Sequence, residues 1–225
     1  MDNLFDFSPF APAEGHVLCM KSLQNDLKAG YNGFQWPESG KCSAPDWKPT
    51  VACGNGLHAF LWGTGDSDLR CKDEDAKWLV MSVEASTIVD LEGKVKFPKC
   101  EVLYCGDRET AVAIIQHYAP GGTPVMFGTA TAGYRGTATA GYRGTATAGD
   151  SGTATAGDSG TATAGYRGTA TAGLYGYIAI EYYDEEKGGI YIKKMAFVDN
   201  VTILAGVKYR LNSSNEFEAI NETEA

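Results

Sequence analysis

A five-residue motif, Gly-Thr-Ala-Thr-Ala, occurs six times in the second half of the chain, and each copy begins eight residues after the previous one. The copies begin at Gly128, Gly136, Gly144, Gly152, Gly160 and Gly168. Self-similarity at a short fixed period is the sequence signature of a stacked repeat fold, in which each unit buries its apolar face only against its neighbours. The repeat therefore determines the architecture of this region before composition or charge is considered.

Each unit alternates Thr with Ala over four positions and then has a glycine and a variable pair of residues. Alternation with a period of two is typical of a β-strand. The glycines on either side of the pair are expected to supply the backbone freedom of a tight turn. A helix is excluded, because each Gly in a helix costs about 1 kcal/mol. Each unit is therefore predicted to be one short strand followed by one turn.

The variable pairs change in twos along the repeat. In order, they are Tyr134-Arg135, Tyr142-Arg143, Asp150-Ser151, Asp158-Ser159, Tyr166-Arg167 and Leu174-Tyr175. This order favours two units, or 16 residues, per coil and about three coils over residues 128–175. Strands stacked about 4.8 Å apart would place Asp150 between Arg135 and Arg167, so that opposite charges alternate along the stack.

Residues 176–180, Gly-Tyr-Ile-Ala-Ile, keep the eight-residue phase but carry Ile where the repeats carry Ala. Large apolar side chains at these positions indicate that Ala points into the stack and Thr points outward. The opposite register, with the Thr hydroxyls inside, stays open at this stage. The Thr residues predicted to face outward are Thr129, Thr131, Thr137, Thr139, Thr145, Thr147, Thr153, Thr155, Thr161, Thr163, Thr169 and Thr171.

The segment after the repeats is predicted to cap the stack, because an exposed strand edge would pair with other chains. The expected cap strands are Tyr177–Tyr183, Ile190–Val198, Thr202–Ala205 and Lys208–Arg210. The predicted domains are an α+β globular domain (1–127), a short parallel β-solenoid (128–175), a β-hairpin-type cap (176–212) and a flexible acidic tail (213–225).

The repeat resembles a known family. Residues 141–156, Gly-Tyr-Arg-Gly-Thr-Ala-Thr-Ala-Gly-Asp-Ser-Gly-Thr-Ala-Thr-Ala, are similar to the 16-residue coil of the bacterial ice-nucleation proteins. The resemblance covers residues 128–175 and implies Thr ladders that order water and turn tyrosines that mediate association. This chain has about three coils, and Asp150 and Asp158 interrupt its tyrosines. Those departures favour the presentation of a small rigid surface over the templating of ice.

Composition restricts the possible partners. The net charge of −9 disfavours direct binding to nucleic-acid phosphates. No apolar run approaches the roughly 18 residues of a membrane helix, and the first residues lack the features of a signal peptide. We therefore expect a cytoplasmic protein, in the host cytoplasm if a phage encodes it, that does not bind membranes. The six cysteines precede the repeats and are expected to be free thiols, and no metal or cofactor is predicted.

The N-terminal region is predicted to be an α+β domain with one clear helix. Apolar residues recur at helical spacing over Arg108–Tyr118, and Asp107 is the expected N-cap. The predicted strands are His16–Lys21, Tyr31–Trp36, Leu57–Trp62, Trp78–Glu84, Lys94–Phe97 and Glu101–Cys105. Runs 31–37, 53–63, 94–98 and 104–108 resemble an uncharacterised domain of bacterial and phage proteins that often precedes such repeats. This resemblance covers residues 16–118 and implies no activity.

Two of these runs contain the candidate pocket residues. Trp36, Trp62 and His58 would line a pocket and Gln35 would supply a polar group; alternatively, the aromatic side chains fill a core around one hydrogen-bonded histidine. No catalytic residue is assigned.

The strand that follows Gly56 is also similar to ADP-ribosyltransferase folds in its Gly-x-His pattern. That similarity implies NAD binding near His58. The acidic residue of such a site stays open between Glu84 and Glu101.

Three functions are therefore open. The favoured one is a non-enzymatic binding or structural protein, whose solenoid presents its arrays to a protein partner or to a second copy in a homodimer. The second is binding of ice or ordered water by the Thr ladders. The third is a nucleotide-using or nucleotide-sequestering protein centred on His58 and Trp36, and a phage origin would also suit an inhibitor of a host defence complex. The predicted association residues are Tyr134, Tyr142, Tyr166, Arg135, Arg143 and Arg167.

Overall fold

The computed structural model describes residues 5–30 and 32–220, and the chain divides between Pro120 and Gly121 into two compact units. Tyr31, the first residue of one predicted strand, and residues 221–225, the end of the predicted tail, lie outside the described residues. The second unit begins ahead of the first repeat, whereas the sequence placed the domain boundary at residue 127.

The N-terminal unit contains one antiparallel sheet and one α-helix. Its strands are β1 (His16–Leu23), β2 (Gly40–Ser43), β3 (Leu57–Leu61), β4 (Lys77–Glu84), β5 (Val89–Asp90), β6 (Val95–Phe97) and β7 (Lys99–Gly106), in the spatial order β2-β7-β4-β1-β3-β6-β5. The helix α1 spans Arg108–Tyr118 as predicted, and the Asp107 carboxylate caps it by accepting the Thr110 N–H at 2.8 Å. The central strands β1 and β4 are almost entirely buried.

The predicted strand over Tyr31–Trp36 is wrong for its described residues. Asn32 and Gly33 both have positive φ, 56° and 59°, which reverses the chain in a tight turn. The Ala29 N–H donates to the Phe34 carbonyl at 2.8 Å, and one bridge joins Lys28 to Gln35. Asn-Gly is the strongest short-range sequence signal for such a turn, so this turn was predictable from the sequence.

The repeats form a β-solenoid of three coils with 16 residues per coil, as predicted. The six short strands are β8 (Thr129–Ala132), β9 (Thr137–Ala140), β10 (Thr145–Ala148), β11 (Thr153–Ala156), β12 (Thr161–Ala164) and β13 (Thr169–Ala172). Alternate strands stack in parallel and in exact register into two sheets, so that Thr145 lies between Thr129 and Thr161. The Ala side chains form the core, and Ala146, Ala154 and other Ala residues are fully buried. This burial confirms the register with Ala inside and excludes the opposite one.

The glycines of the solenoid turns do not provide left-handed backbone, contrary to expectation. The second residue of each variable pair does so instead, with φ of 56° at Arg135, 53° at Arg143 and 56° at Ser151. Glycine is needed for close approach, because a Cβ on Gly144 would lie 2.8 Å from the Ala140 Cβ and 2.8 Å from the Gly128 carbonyl oxygen. Coil-to-coil packing, rather than backbone freedom, therefore fixes glycine at these positions.

The C-terminal strands cap both sheets, as predicted. Strands β14 (Tyr177–Asp184) and β15 (Ile190–Phe197) form a hairpin that continues one sheet, and β16 (Tyr209–Leu211) with β17 (Phe217–Ala219) continues the other. Ile178 and Ile180 of β14 extend the Ala core with large side chains. The end of the apolar core is thus closed by residues that the repeats do not supply.

Two details of the predicted cap are wrong. Residues 202–205 form no strand, because the Asp199 carboxylate accepts the N–H groups of Val201, Thr202 and Ile203 and holds this segment in a turn. The tail expected to be flexible is ordered over residues 213–220, where β17 pairs with β16 and Arg210 forms a 2.8 Å ion pair with Glu218.

Candidate functional site

The solenoid presents two outward faces of threonine. One face carries Thr129, Thr131, Thr145, Thr147, Thr161 and Thr163, and the other carries Thr137, Thr139, Thr153, Thr155, Thr169 and Thr171. Thr side chains are stiff at χ1, and strict register repeats each hydroxyl and methyl group from coil to coil. On the second face the Thr169 hydroxyl donates to the Thr153 hydroxyl at 3.1 Å. These faces are regular arrays with little side-chain freedom.

The first Thr face continues into an apolar surface on the cap hairpin. Tyr177 lies beside Thr161 in the sheet and pairs with Phe197 of β15, and their rings are 5.2 Å apart. Met195 follows at the next outward position, and its side chain is 57% exposed. The outward chemistry therefore changes from hydroxyl to aromatic and aliphatic at the start of the cap.

The turns between strands form two edges along the solenoid. The first turn edge consists of Tyr134-Arg135, Asp150-Ser151 and Tyr166-Arg167, and the second turn edge consists of Tyr142-Arg143, Asp158-Ser159 and Leu174-Tyr175. Each guanidinium lies over the ring of the tyrosine that precedes it, at 5.4, 5.9 and 5.0 Å for Arg135, Arg143 and Arg167. Tyr134 is 70% exposed and the three arginines are exposed, whereas Tyr142 and Tyr166 are half-buried against the rings of Phe127 and Tyr191.

The two aspartates have a different role from the predicted charge ladder. In the described part of the chain no ion pair joins Asp150 to Arg135 or Arg167. The Asp150 carboxylate instead accepts the backbone N–H of Tyr166 at 3.0 Å, and the Asp158 carboxylate accepts that of Leu174 at 2.9 Å. Each aspartate thus bonds to the turn of the following coil and fixes the spacing of the stack.

The N-terminal unit contains a cavity of about 570 Å³. Two predicted pocket residues, Trp36 and His58, line it, and the other two do not. The Gln35 side chain donates to the Asp26 carbonyl at 2.9 Å, and Trp62 lies in the turn after β3 with φ of 51°. The structure therefore brings Trp36 and His58 to one cavity and places Gln35 and Trp62 outside its lining.

His58 is held by its own loop. Its Nε2 accepts the Gly54 N–H at 3.3 Å, and burial, together with the positive charges of Lys94, Lys21 and Lys96, lowers its pKa to about 4. The imidazole is therefore neutral at pH 7. Its observed contact is that of a hydrogen-bonded structural histidine.

Neither acidic residue proposed for an ADP-ribosyltransferase-like site reaches the cavity. Glu84 lies at the end of β4 and accepts the Ser86 hydroxyl at 3.0 Å, and Glu101 is exposed on β7. Neither side chain lines the cavity with His58. The structure therefore does not bring His58 together with either Glu84 or Glu101.

Sequence reasoning missed the basic side chains around this cavity. Lys21, Lys28, Arg70 and Lys94 line it, and Asp46 is the one acidic residue in the lining. The Lys21 ammonium lies 5.4 Å from the centre of the Trp36 ring. Burial and the charge of Lys94 lower the pKa of Lys21 to about 8. The sequence signal that could have found them was a lysine among the mostly apolar residues of a largely buried strand.

Two further features, a metal site and a membrane-spanning helix, are absent from the described residues. Residues 5–30 and 32–220 contain no group of three His, Cys, Asp or Glu side chains arranged to hold a metal ion. The single α-helix of that part of the chain is too short and too polar to cross a membrane.

The comparisons with known proteins agree with both units. Residues 17–114 match the family described as a domain of unknown function, DUF7666, which confirms the predicted resemblance of this region. The ice nucleation protein InaU of Pantoea ananas is 35% identical over 107 residues, which is 47% of this chain and 10% of that protein. An ice nucleation protein of Pseudomonas syringae pv. syringae is 36% identical over 117 residues, 51% of this chain and 10% of that protein.

The solenoid is built of ice-nucleation-like repeats. The chain spans about a tenth of the length of these curated relatives. No solved structure matches the chain. The matches and the fold together establish a structural repeat protein.

Proposed function

We propose that the solenoid is a rigid display element through which the protein associates with a second copy of itself, and that the turn edges form the contact. On each turn edge an exposed arginine and an exposed aspartate follow one another from coil to coil, and this alternation carries the proposal. Each pair sits on a turn whose backbone bonds to the next coil, as in the 2.8 Å bond from the Arg143 N–H to the Asp158 carbonyl. Side chains on such turns lose little entropy on binding.

The second turn edge is complementary to itself. Arg143 and Asp158 lie on turns one coil apart, and the backbones of successive coils are about 4.8 Å from each other. A two-fold axis between these coils places Arg143 of each copy against Asp158 of the other, as a closed dimer requires. The Asp158 carboxylate accepts one backbone N–H and has capacity for a further donor. Tyr142 adds an aromatic surface beside the ion pair.

Sedimentation of the full chain tests this contact. Arg143→Glu places like charges opposite each other and should raise the dimer dissociation constant at least tenfold, and Tyr142→Ala should weaken the dimer by removing the aromatic contact. Tyr166→Ala reports separately on the first turn edge. Lys208→Glu is the matched control, because it makes the same charge change at an exposed position outside the turn edges.

Raised salt should also weaken the dimer, because exposed ion pairs are screened. A chain that remains monomeric at millimolar concentration, or a dimer indifferent to Arg143→Glu, would remove the proposal.

Binding of ice or ordered water is the second candidate, and the in-register Thr faces favour it. Along each strand the outward Thr residues repeat at about 6.7 Å, and between coils at about 4.8 Å. The relatives named ice nucleation proteins make this function relevant to the present chain.

Thr145→Tyr with Thr147→Tyr should reduce inhibition of ice recrystallisation, because bulky rings interrupt the first Thr face at its central coil while the second face stays intact. Thr202→Tyr, at an exposed position outside the repeats, should leave the activity unchanged. Equal activity of the unaltered chain and both variants would exclude the Thr face that carries Thr145 and Thr147 as the ice-contacting surface.

A further inference from the structure

Positive charge is concentrated at the cavity of the N-terminal unit although the surrounding sequence is acidic. Residues 1–127 contain 17 Asp and Glu against 11 Lys and Arg. Four of the basic residues line the cavity, namely Lys21, Lys28, Arg70 and Lys94, against the single acidic residue Asp46. The lining therefore has a net charge opposite in sign to that of residues 1–127 as a whole.

The central lysines lack acidic partners. Within the described residues, no ion pair involves Lys21, Lys94 or Lys96, whereas Lys28 pairs with Asp26 at 3.8 Å. Lys94 donates to the Cys53 sulfur at 3.1 Å, and Lys21 lies over the Trp36 ring. Lys21 and Lys94 therefore line the cavity and contact the uncharged side chains of Trp36 and Cys53.

A third lysine increases the positive potential from behind the cavity wall. Lys96 is fully buried, and its ammonium donates to the carbonyls of Ala52 and Gly54 at 2.8 and 3.2 Å. These bonds hold the loop that contributes Gly54 to the lining. Lys96 is therefore a positioning residue whose charge still acts on the cavity.

The positive charges repel one another and favour the binding of an anion. The pKa of Lys21 is lowered to about 8, because burial and Lys94 penalise its charged form. A bound dianion neutralises the charges of both ammonium groups, and hydrogen bonds between charged groups are stronger than those between neutral groups.

The size and the remaining walls of the cavity identify the class of anion. A volume of about 570 Å³ is in the range of sites for small organic ligands and far exceeds the needs of a bare phosphate. Leu23, Leu57, Phe34 and Trp36 give the cavity an apolar side. Phe34 and Trp36 pack edge to face at 5.7 Å, which fixes the orientation of both rings.

We propose that this cavity binds a small phosphate-bearing ligand with a flat apolar part, of the nucleotide class. Lys21 and Lys94 contact the phosphate, and the wall that includes Phe34 contacts the base. His58 does not contact the ligand and instead holds the loop at Gly54. This binding site is separate from the turn edges, so failure of either proposal leaves the other standing.

Calorimetry with the full chain at pH 7 and low salt tests the site. The probes are the four ribonucleoside monophosphates, inorganic phosphate and the four nucleosides. At least one monophosphate should bind ten times more tightly than inorganic phosphate and than its own nucleoside. Lys21→Met and Lys94→Gln should each weaken that binding at least tenfold. Lys41→Met, at an exposed position on β2, is the matched control and should bind as the unaltered chain does.

Each other outcome overturns a stated part of the proposal. A nucleoside that binds as tightly as its monophosphate removes the phosphate contact, and phosphate binding as tightly as the monophosphates removes the nucleotide class. Absence of binding by every probe at millimolar concentration removes the site. Thermal unfolding followed by tryptophan fluorescence verifies that both lysine variants fold. If Lys21→Met does not fold, the binding measured with Lys94→Gln decides between the outcomes, because Lys94 is only half-buried.

Discussion

At each solenoid turn the left-handed residue is Arg, Ser or Tyr, and this position shows how a single residue can be strained and still be stable. A residue with a Cβ in this conformation costs roughly 1 kcal/mol or more. In the first two coils the N–H of that residue donates to the next coil, for example from Ser151 to the Tyr166 carbonyl at 2.8 Å. This hydrogen bond offsets the cost of the left-handed backbone. Glycine would form the same bond without strain, so the bond does not explain why a residue with a side chain occupies this position; the side chain that it presents at the turn does.

His58 links pH to the stability of the N-terminal unit. Its pKa is about 4 in the folded chain and about 6.5 when unfolded. The unfolded state therefore binds more protons between these values, and stability falls as pH falls through this window. From pH 7 to pH 5 the unaltered chain should lose about 1 to 2 kcal/mol from this residue, with allowance for partial exposure.

Urea unfolding followed by tryptophan fluorescence measures this loss, because all four tryptophans lie in the N-terminal unit. His58→Asn cannot titrate and should lose correspondingly less stability over the same pH range. Parallel pH dependences for the two proteins would show that His58 is not responsible.

At the scale of the element, a coil depends on bonds from one turn to the next. Asp158→Ala removes the acceptor of the Leu174 N–H and should destabilise the third coil by about 1 kcal/mol. Amide hydrogen exchange at Leu174 should then be roughly five times faster, the factor that corresponds to this energy.

Asp158→Asn keeps an acceptor oxygen at the same place and should retain most of the protection. Exchange that is equally fast in both variants would show that charge, and not the hydrogen bond, stabilises the turn.

Elements differed in how well their sequences predicted them. The helix Arg108–Tyr118 was predicted to the residue, because its cap and its apolar spacing agree. Strand β2, Gly40–Ser43, was missed because Gly-Lys-Cys-Ser has neither alternation nor strong strand formers, and pairing with β7 alone maintains it. The Asn32-Gly33 turn was missed because its aromatic neighbours suggested a strand.

At the scale of the whole molecule, the two units were predictable to different extents. The turn pairs that change in twos predicted the coil length, and Ile178 and Ile180 after the repeats favoured Ala inside, although only the structure excluded the opposite register. The cavity is assembled from separate segments, including 21–24, 53–58 and Lys94. Only tertiary structure brings these segments together, so Lys21 and Lys94 could not be related from their spacing.

The exact register of the coils has a consequence for the gene. Thr145 lies opposite Thr129 and Thr161, so each coil presents its neighbours with the same surface that it receives. Insertion or deletion of sixteen codons within the repeats would therefore keep the strand register and the Ala core continuous at every junction, whereas eight codons would exchange the two sheets beyond the change. The length of the solenoid is thus free to vary by unequal recombination, in whole coils, without the invention of a new interface.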